Sequence, residues 1–105
     1  MIEAIFTVTD RVIRGFRISG HADYSAHGSD IVCAAVSSAA YMAANTITDV
    51  QLLQADITEQ DGLMQLGLSA EDAKSAEVIL NGLLLHLNAL SEQNKDYIKV
   101  KISEV

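Results

Sequence analysis

The first nineteen residues form two short runs in which apolar and polar side chains alternate. The apolar positions of the first run are Ile2, Ala4, Phe6 and Val8. The second run extends from Val12 to Ser19, and Arg14 interrupts its apolar face. That face consists of Val12, Phe16 and Ile18. Because alternation is typical of a strand with one buried face, and Asp10-Arg11 can form a short turn, the pattern predicts a β-hairpin.

A second hairpin is predicted in the middle of the chain. The segments 55–59 and 63–68 flank Gln60-Asp61-Gly62, and Asp-Gly between alternating segments is a strong hairpin signal. We expect Ile57 to pair with Met64 or Leu66. A last strand is predicted near the C-terminus, with apolar positions Ile98, Val100 and Ile102.

Two helices separate these strands. The first is predicted from about Asp30 to Leu53, because Ser29 and Asp30 are good N-cap residues and the alanine-rich run after them contains few helix breakers. The second opens at Ser69, with Asp72 completing an approximate capping box. Apolar residues at spacings of three and four give the second helix one continuous stripe, and Ile79 and Leu84 widen it. The stripe consists of Ala73, Ala76, Leu80, Leu83, Leu87 and Leu90.

The order β-β-α-β-β-α-β predicts an α+β fold, a two-layer sandwich with two helices packed on a mostly antiparallel sheet. At 105 residues the chain is expected to form a single domain, residues 1–105.

Composition narrows the possible partners and the compartment. The formal charge of −7 argues against a sequence-independent grip on nucleic acid and suits a basic polypeptide partner. A single cysteine excludes an intramolecular disulfide, and the first residues show no signal-peptide pattern, so a cytoplasmic location is expected.

The uncharged stretch from Ile31 to Thr48 is long enough to raise the question of a membrane span. Since it is rich in alanine and interrupted by polar residues, we interpret it as a buried helix.

Candidate chemistry is concentrated in residues 20–37. Cys33 would lie in the first turn of the predicted helix, where free N–H groups and the helix dipole favour a thiolate and can stabilise an oxyanion. His21 lies twelve residues upstream, and a loop of that length can bring its imidazole to the thiol. Asp30, Cys33 and Ser37 share one helix face.

The same residues resemble a known motif. Gly20-His21-Ala22, followed by Gly28-Ser29-Asp30-Ile31-Val32-Cys33-Ala34-Ala35-Val36-Ser37, is similar to the motif of the ribosomal-processing cysteine proteases of bacteria. The resemblance implies a cysteine endopeptidase that removes the N-terminal extension of a large-subunit ribosomal protein, with His21 as base and Cys33 as nucleophile. Gly20, Gly28, Asp30 and Ser37 match supporting positions. It also implies a homodimer, and no cofactor is expected.

Other interpretations remain open at this point. The chain could be a non-catalytic acidic module that binds a basic ribosomal protein or assembly factor, with Cys33 buried and inert. A metal site is disfavoured, because the spacing of the four possible ligands matches no structural zinc pattern. Those ligands are His21, Asp23, His27 and Cys33. A thiol peroxidase would lack a resolving cysteine.

Two motif residues and one segment have more than one possible role. Asp30 is expected to cap the helix rather than to orient His21. Ser37 can either line the substrate groove or bond back to the preceding helical turn. Segment 22–28 has the composition of a loop that closes over substrate.

Overall fold

A computed structural model of the chain describes residues 1–20 and 27–105, with side chains described for 1–20 and 31–105. Its centre is a five-stranded sheet in the order β3-β4-β2-β1-β5. All neighbouring strands are antiparallel except β1 and β5, which are parallel. The strands are β1 Ile2–Thr9, β2 Val12–Ser19, β3 Asp56–Gln60, β4 Leu63–Gly67 and β5 Ile98–Glu104. The predicted α+β fold with a mostly antiparallel sheet is confirmed.

The helices α1 His27–Asn45, α2 Ala70–Ser75 and α3 Glu77–Gln93 form the second layer. The core lies between this layer and the sheet, and most of the predicted apolar faces are buried there. Strand β1 contributes Ile2, Ala4 and Phe6, and α1 contributes Val32, Val36, Ala40 and Ala43. The predicted stripe of the second helix contributes Ala73, Ala76, Leu80, Leu83 and Leu87.

The first hairpin forms as predicted, with one change of face. Asp10 and Arg11 both have positive φ, 51° and 68°, as a two-residue type I′ turn requires. Thr7 pairs with Gly15 and Val8 with Ile13, so Arg14 has no partner in β1 and forms a bulge.

The bulge corrects the predicted face of β2. The extra residue reverses the alternation beyond it, so Ile13 is buried together with Phe16 and Ile18, whereas Val12 is only half-buried. Arg14 does not intrude into the core, because its Nε donates to the carbonyl of Leu68 at 3.0 Å.

The second hairpin is also confirmed, and Ile57 pairs with Leu66. Its turn is Asp61-Gly62, and Gly62 takes the positive φ of 73°. Strand β3 is the edge of the sheet, and all five of its residues are exposed. The helix layer therefore leaves this edge open.

The helix boundaries differ from the prediction in two places. Helix α1 begins at His27, three residues before the predicted start, and it ends at Asn45, where a π-helical turn, Thr46–Val50, continues the chain. The predicted second helix is divided at Ala76 into α2 and α3. The predicted cap is confirmed, because Ser69 Oγ accepts from the N–H of Asp72 at 3.2 Å.

By length and composition alone, the segment Ile31–Val50 could cross a membrane. A third of its most apolar window is buried inside the protein. Val36, Ala40 and Ile47 lie within the core, at 0–2% exposure. One face of the segment therefore packs into the core of the protein.

Candidate active site

Cys33 lies in the wall of an open groove of about 610 Å³. One wall is helix α1, and the opposite wall is the turn of the β3–β4 hairpin, residues 59–63. The first residue of β1, Ile2, and the end of β2 close the groove between them.

The groove lies between α1 and the hairpin at the β3 edge of the sheet. Its floor is apolar, formed by the buried residues Ile2, Ile18, Val36 and Met64. Its rim is polar, formed by Ser37, Tyr41, Glu59, Gln60 and Asp61. An apolar floor with a few polar groups at the rim is the usual construction of a binding cleft.

Cys33 is a free thiol and is half-buried. It packs against the core on one side and borders the groove on the other. A cysteine that serves only as a small core residue would be enclosed, whereas this one is accessible from a cleft large enough for a peptide.

The predicted position of Cys33 in the first helical turn is wrong. Helix α1 begins at His27, so Cys33 is its seventh residue and lies beyond the first four N–H groups, which alone have no partner within the helix. Its own N–H is therefore not available to an oxyanion, and the influence of the dipole falls off within the first turn.

Ser37 follows Cys33 by one helical turn and lines the same groove, as the shared face predicted. Tyr41 follows Ser37 by another turn and lines the groove as well. The three side chains form a row along one side of α1, because residues four apart lie one above the other on a helix.

Gly20 marks the point where the chain leaves β2 and enters the motif. It lines the groove, its φ is +99°, and its N–H donates to the carbonyl of Gly62 at 2.9 Å. A Cβ at this position would lie 2.3 Å from the carbonyl oxygen of Met1. Glycine is therefore required here for two independent reasons, its left-handed φ and the close backbone approach.

The remaining predicted site residues lie wholly or partly outside the description. His21, together with segment 21–26, is outside the described residues. Gly28 and Asp30 are described only as part of the backbone of α1. Of the four weighed metal ligands, only Cys33 has a described side chain, so the disfavoured metal site stays untested.

The bounds of α1 correct two predictions. Asp30 is the fourth residue of α1 and not its cap, because aspartate is favoured both at an N-cap and inside the first turn and the sequence signal does not separate the two. His27 and Gly28, the end of the predicted closing loop, are helical.

Sequence reasoning missed the far end of the groove. The hydroxyl of Tyr41 donates to the carboxylate of Glu59, which links α1 to the β3–β4 hairpin across the cleft. This hydrogen bond, with some burial and the charge of Glu59, raises the pKa of the Tyr41 phenol. The four-residue spacing of Tyr41 from Ser37 was a signal for its position, but no local pattern shows that the hairpin faces the helix.

Known proteins match this chain along most of its length. The family model of the cysteine protease Prp matches residues 1–99. The ribosomal processing cysteine protease Prp of Bacillus subtilis is 28% identical over 97 residues, which cover 87% of each chain. The protein of the same name from Staphylococcus aureus is 28% identical over 103 residues, which cover 95% of this chain and 97% of the relative.

A solved structure matches equally well. It is the crystal structure of an essential ribosomal processing protease Prp from S. aureus in complex with a substrate peptide, with a TM-score of 0.87 and 26% identity. The match covers 98% of this chain and 100% of that chain. On the family match over nearly all of its length, the chain belongs to the cysteine protease Prp family and is a cysteine protease.

Proposed function

We propose that this protease cleaves peptides bound in the α1–hairpin groove, with Cys33 as nucleophile and His21 as base. The observation that carries the proposal is the position of Cys33, a free, half-buried thiol in the wall of a peptide-sized cleft. Gly20 supports the role of His21, because the residue directly before this histidine lines the same cleft.

The chemistry follows from the two groups. His21 accepts the thiol proton, and the thiolate of Cys33 attacks the scissile carbonyl carbon. The C–N bond then breaks, the amine takes the proton from His21, and a thioester remains on Cys33. Water, losing a proton to His21, attacks the thioester and releases the acid and the free thiol.

For the substrate, we infer the N-terminal extension of a large-subunit ribosomal protein. The relatives are named for ribosomal processing, and the site motif is similar to theirs. Ribosomal proteins are basic, and the net charge of −7 favours encounter with a basic partner. The proposed compartment is the cytoplasm, where such a substrate is made.

Mass spectrometry of one peptide tests the proposal. The peptide spans the extension junction of the matching ribosomal protein and is incubated with the wild type, Cys33→Ser and His21→Ala. We expect one defined cut with the wild type and none with either variant. A peptide that binds but stays whole, with the thiol intact, would instead support the non-catalytic acidic module.

We also infer a homodimer, as the family resemblance implies. The helix layer exposes large apolar side chains, which a partner surface would cover. On α1 these are Ile31 and Met42, and on α3 they are Val78 and Leu85, the latter two at 88% and 73% exposure. Light scattering of the wild type and of Leu85→Glu tests the inference, with loss of the dimer expected for the variant. A wild type that is monomeric at all concentrations would contradict it.

A further inference from the structure

The groove has a direction and a length, which helix α1 sets. Cys33, Ser37 and Tyr41 line it in that order, one helical turn apart. Tyr41 lies eight positions after Cys33, and at a rise of about 1.5 Å per residue this places them about 12 Å apart along the helix axis. The Tyr41 end of the groove is thus a site distinct from the nucleophile, on the same cleft.

The chemistry of this distant end is acidic. Glu59 lines the groove there, and among the described residues that line the whole groove there is no lysine or arginine. The Tyr41 hydroxyl donates to one oxygen of the Glu59 carboxylate. A carboxylate has several acceptor positions, so the bond to Tyr41 holds Glu59 in place and leaves it able to accept from a ligand.

A peptide in the groove would bring a particular residue to that end. An extended chain advances about 3.3 Å per residue, so about 12 Å corresponds to between three and four residues. With the scissile bond at Cys33, the side chain that reaches Glu59 belongs to a residue three or four positions from the cut.

We propose that Glu59, positioned by Tyr41, binds a lysine or arginine side chain of the substrate three or four residues from the scissile bond. This inference rests on the proposed function, since it requires a peptide in the groove with its carbonyl at Cys33. Charge-assisted hydrogen bonds from an ammonium or guanidinium to a carboxylate are the strongest that such an end can make. Glu59 is the binding residue, and Tyr41 is a positioning residue.

The experiment uses a series of peptides based on the extension junction. A single lysine is moved through positions two to six on each side of the cut, and norleucine, which has a similar length without the charge, replaces it in a matched series. The measured quantity is the ratio of kcat/KM for each lysine peptide to that for its norleucine counterpart.

We expect the wild type to prefer lysine at position three or four on one side. In Glu59→Gln this ratio should fall about three- to five-fold, the effect of losing one partly exposed ion pair. Glu59→Lys should invert the preference in favour of glutamate at the same position. Tyr41→Phe should raise KM for the lysine peptide and leave kcat unchanged. A general loss of structure would lower kcat as well.

Asp56→Asn is the matched control, because Asp56 lies on the same strand, is exposed, and does not line the groove. It removes the same charge and should leave the ratio unchanged. A wild type that cleaves the peptides without any preference for lysine, or a ratio that Asp56→Asn lowers as much as Glu59→Gln, would overturn this inference alone. If the wild type cleaves none of the peptides, the proposed function fails, and this inference fails with it.

Discussion

The two hairpins of the sheet have turns of the same length and opposite surroundings. In β1–β2 the turn is Asp10-Arg11, and the strands lie near the centre of the sheet under the helices. In β3–β4 the turn is Asp61-Gly62, and β3 is an edge strand with every residue exposed. The first hairpin builds the core, whereas the second leaves its inner side free to form a wall of the groove.

Local sequence therefore specifies each hairpin, and the position of the hairpin in the sheet decides whether it builds the core or a wall of the groove. Phe16 of the central hairpin is buried and its ring lies 6.0 Å from that of Phe6. Ile57 of the edge hairpin remains 42% exposed. The partly exposed edge hairpin therefore forms a wall of the groove, whereas the buried central hairpin contributes to its floor.

The largest expected contrast is in stability. Phe16→Ala should lower the free energy of unfolding by about 3–5 kcal/mol, because it removes a buried aromatic side chain and leaves a cavity. Ile57→Ala should lower it by about 1 kcal/mol or less, because much of this side chain is already in water. Urea unfolding of both variants measures the difference, and equal losses would show that the edge hairpin belongs to the core.

Two glycines that face each other across neighbouring strands differ in the space around them. Gly15 of β2 pairs with Gly67 of β4. A Cβ on Gly15 would lie 2.1 Å from the carbonyl oxygen of Leu66, whereas a Cβ on Gly67 would meet nothing within 4 Å. Gly15→Ala should therefore cost about 1–3 kcal/mol, by forcing the two strands apart. Gly67→Ala, the control, should be close to neutral in the same urea titration, and a comparable loss would refute the steric argument.

Introducing glycine into the first turn should raise the stability of the protein, whereas removing glycine from the second turn should lower it. Arg11 holds a left-handed conformation without being glycine, so Arg11→Gly should raise stability by up to about 1 kcal/mol. Gly62 adopts the same left-handed conformation, which glycine tolerates without strain, so Gly62→Ala should lower stability by about 1 kcal/mol. Thermal unfolding checks both signs. A loss of stability in Arg11→Gly would mean that this side chain makes a compensating contact.

The smallest effect is a change in tyrosine titration. Because the bond to Glu59 raises the pKa of Tyr41, Glu59→Gln should bring the Tyr41 phenol down toward its ordinary range. At neutral pH the bond stabilises the protein, and this stabilisation is lost as the pH rises through the raised pKa of Tyr41. Ultraviolet titration of tyrosinate should show one phenol ionising earlier in the variant. Unchanged curves would indicate that the link across the groove does not form in solution.

Much of the fold follows from the sequence, because alternation, turn residues and helical spacing are local signals. They locate all five strands, the Ser69 cap and the buried stripe of α3. The bulge at Arg14 was not predicted, since the carbonyl that this side chain contacts, that of Leu68, is distant in sequence. Nor was the division at Ala76, where no glycine or proline marks a break.

The site was only partly predictable for the same reason. Cys33 and Ser37 are one helical turn apart, so their common face could be derived from spacing. The start of α1 was misjudged because Ser29 and Asp30 suit more than one position near a helix end. Glu59 and Asp61 reach the groove only through the order of strands in the sheet, which no local pattern encodes.

The reactivity of Cys33 in the folded protein is the direct test of its role as a nucleophile in the groove. The measurement is the rate of alkylation by iodoacetamide at neutral pH, in the wild type and in His21→Ala, with and without the junction peptide. The account predicts that the folded wild type reacts readily, that the peptide slows the reaction, and that His21→Ala reacts more slowly. A thiol that stays silent until the protein unfolds would contradict it, because Cys33 would then be an enclosed core residue and not a nucleophile in a groove.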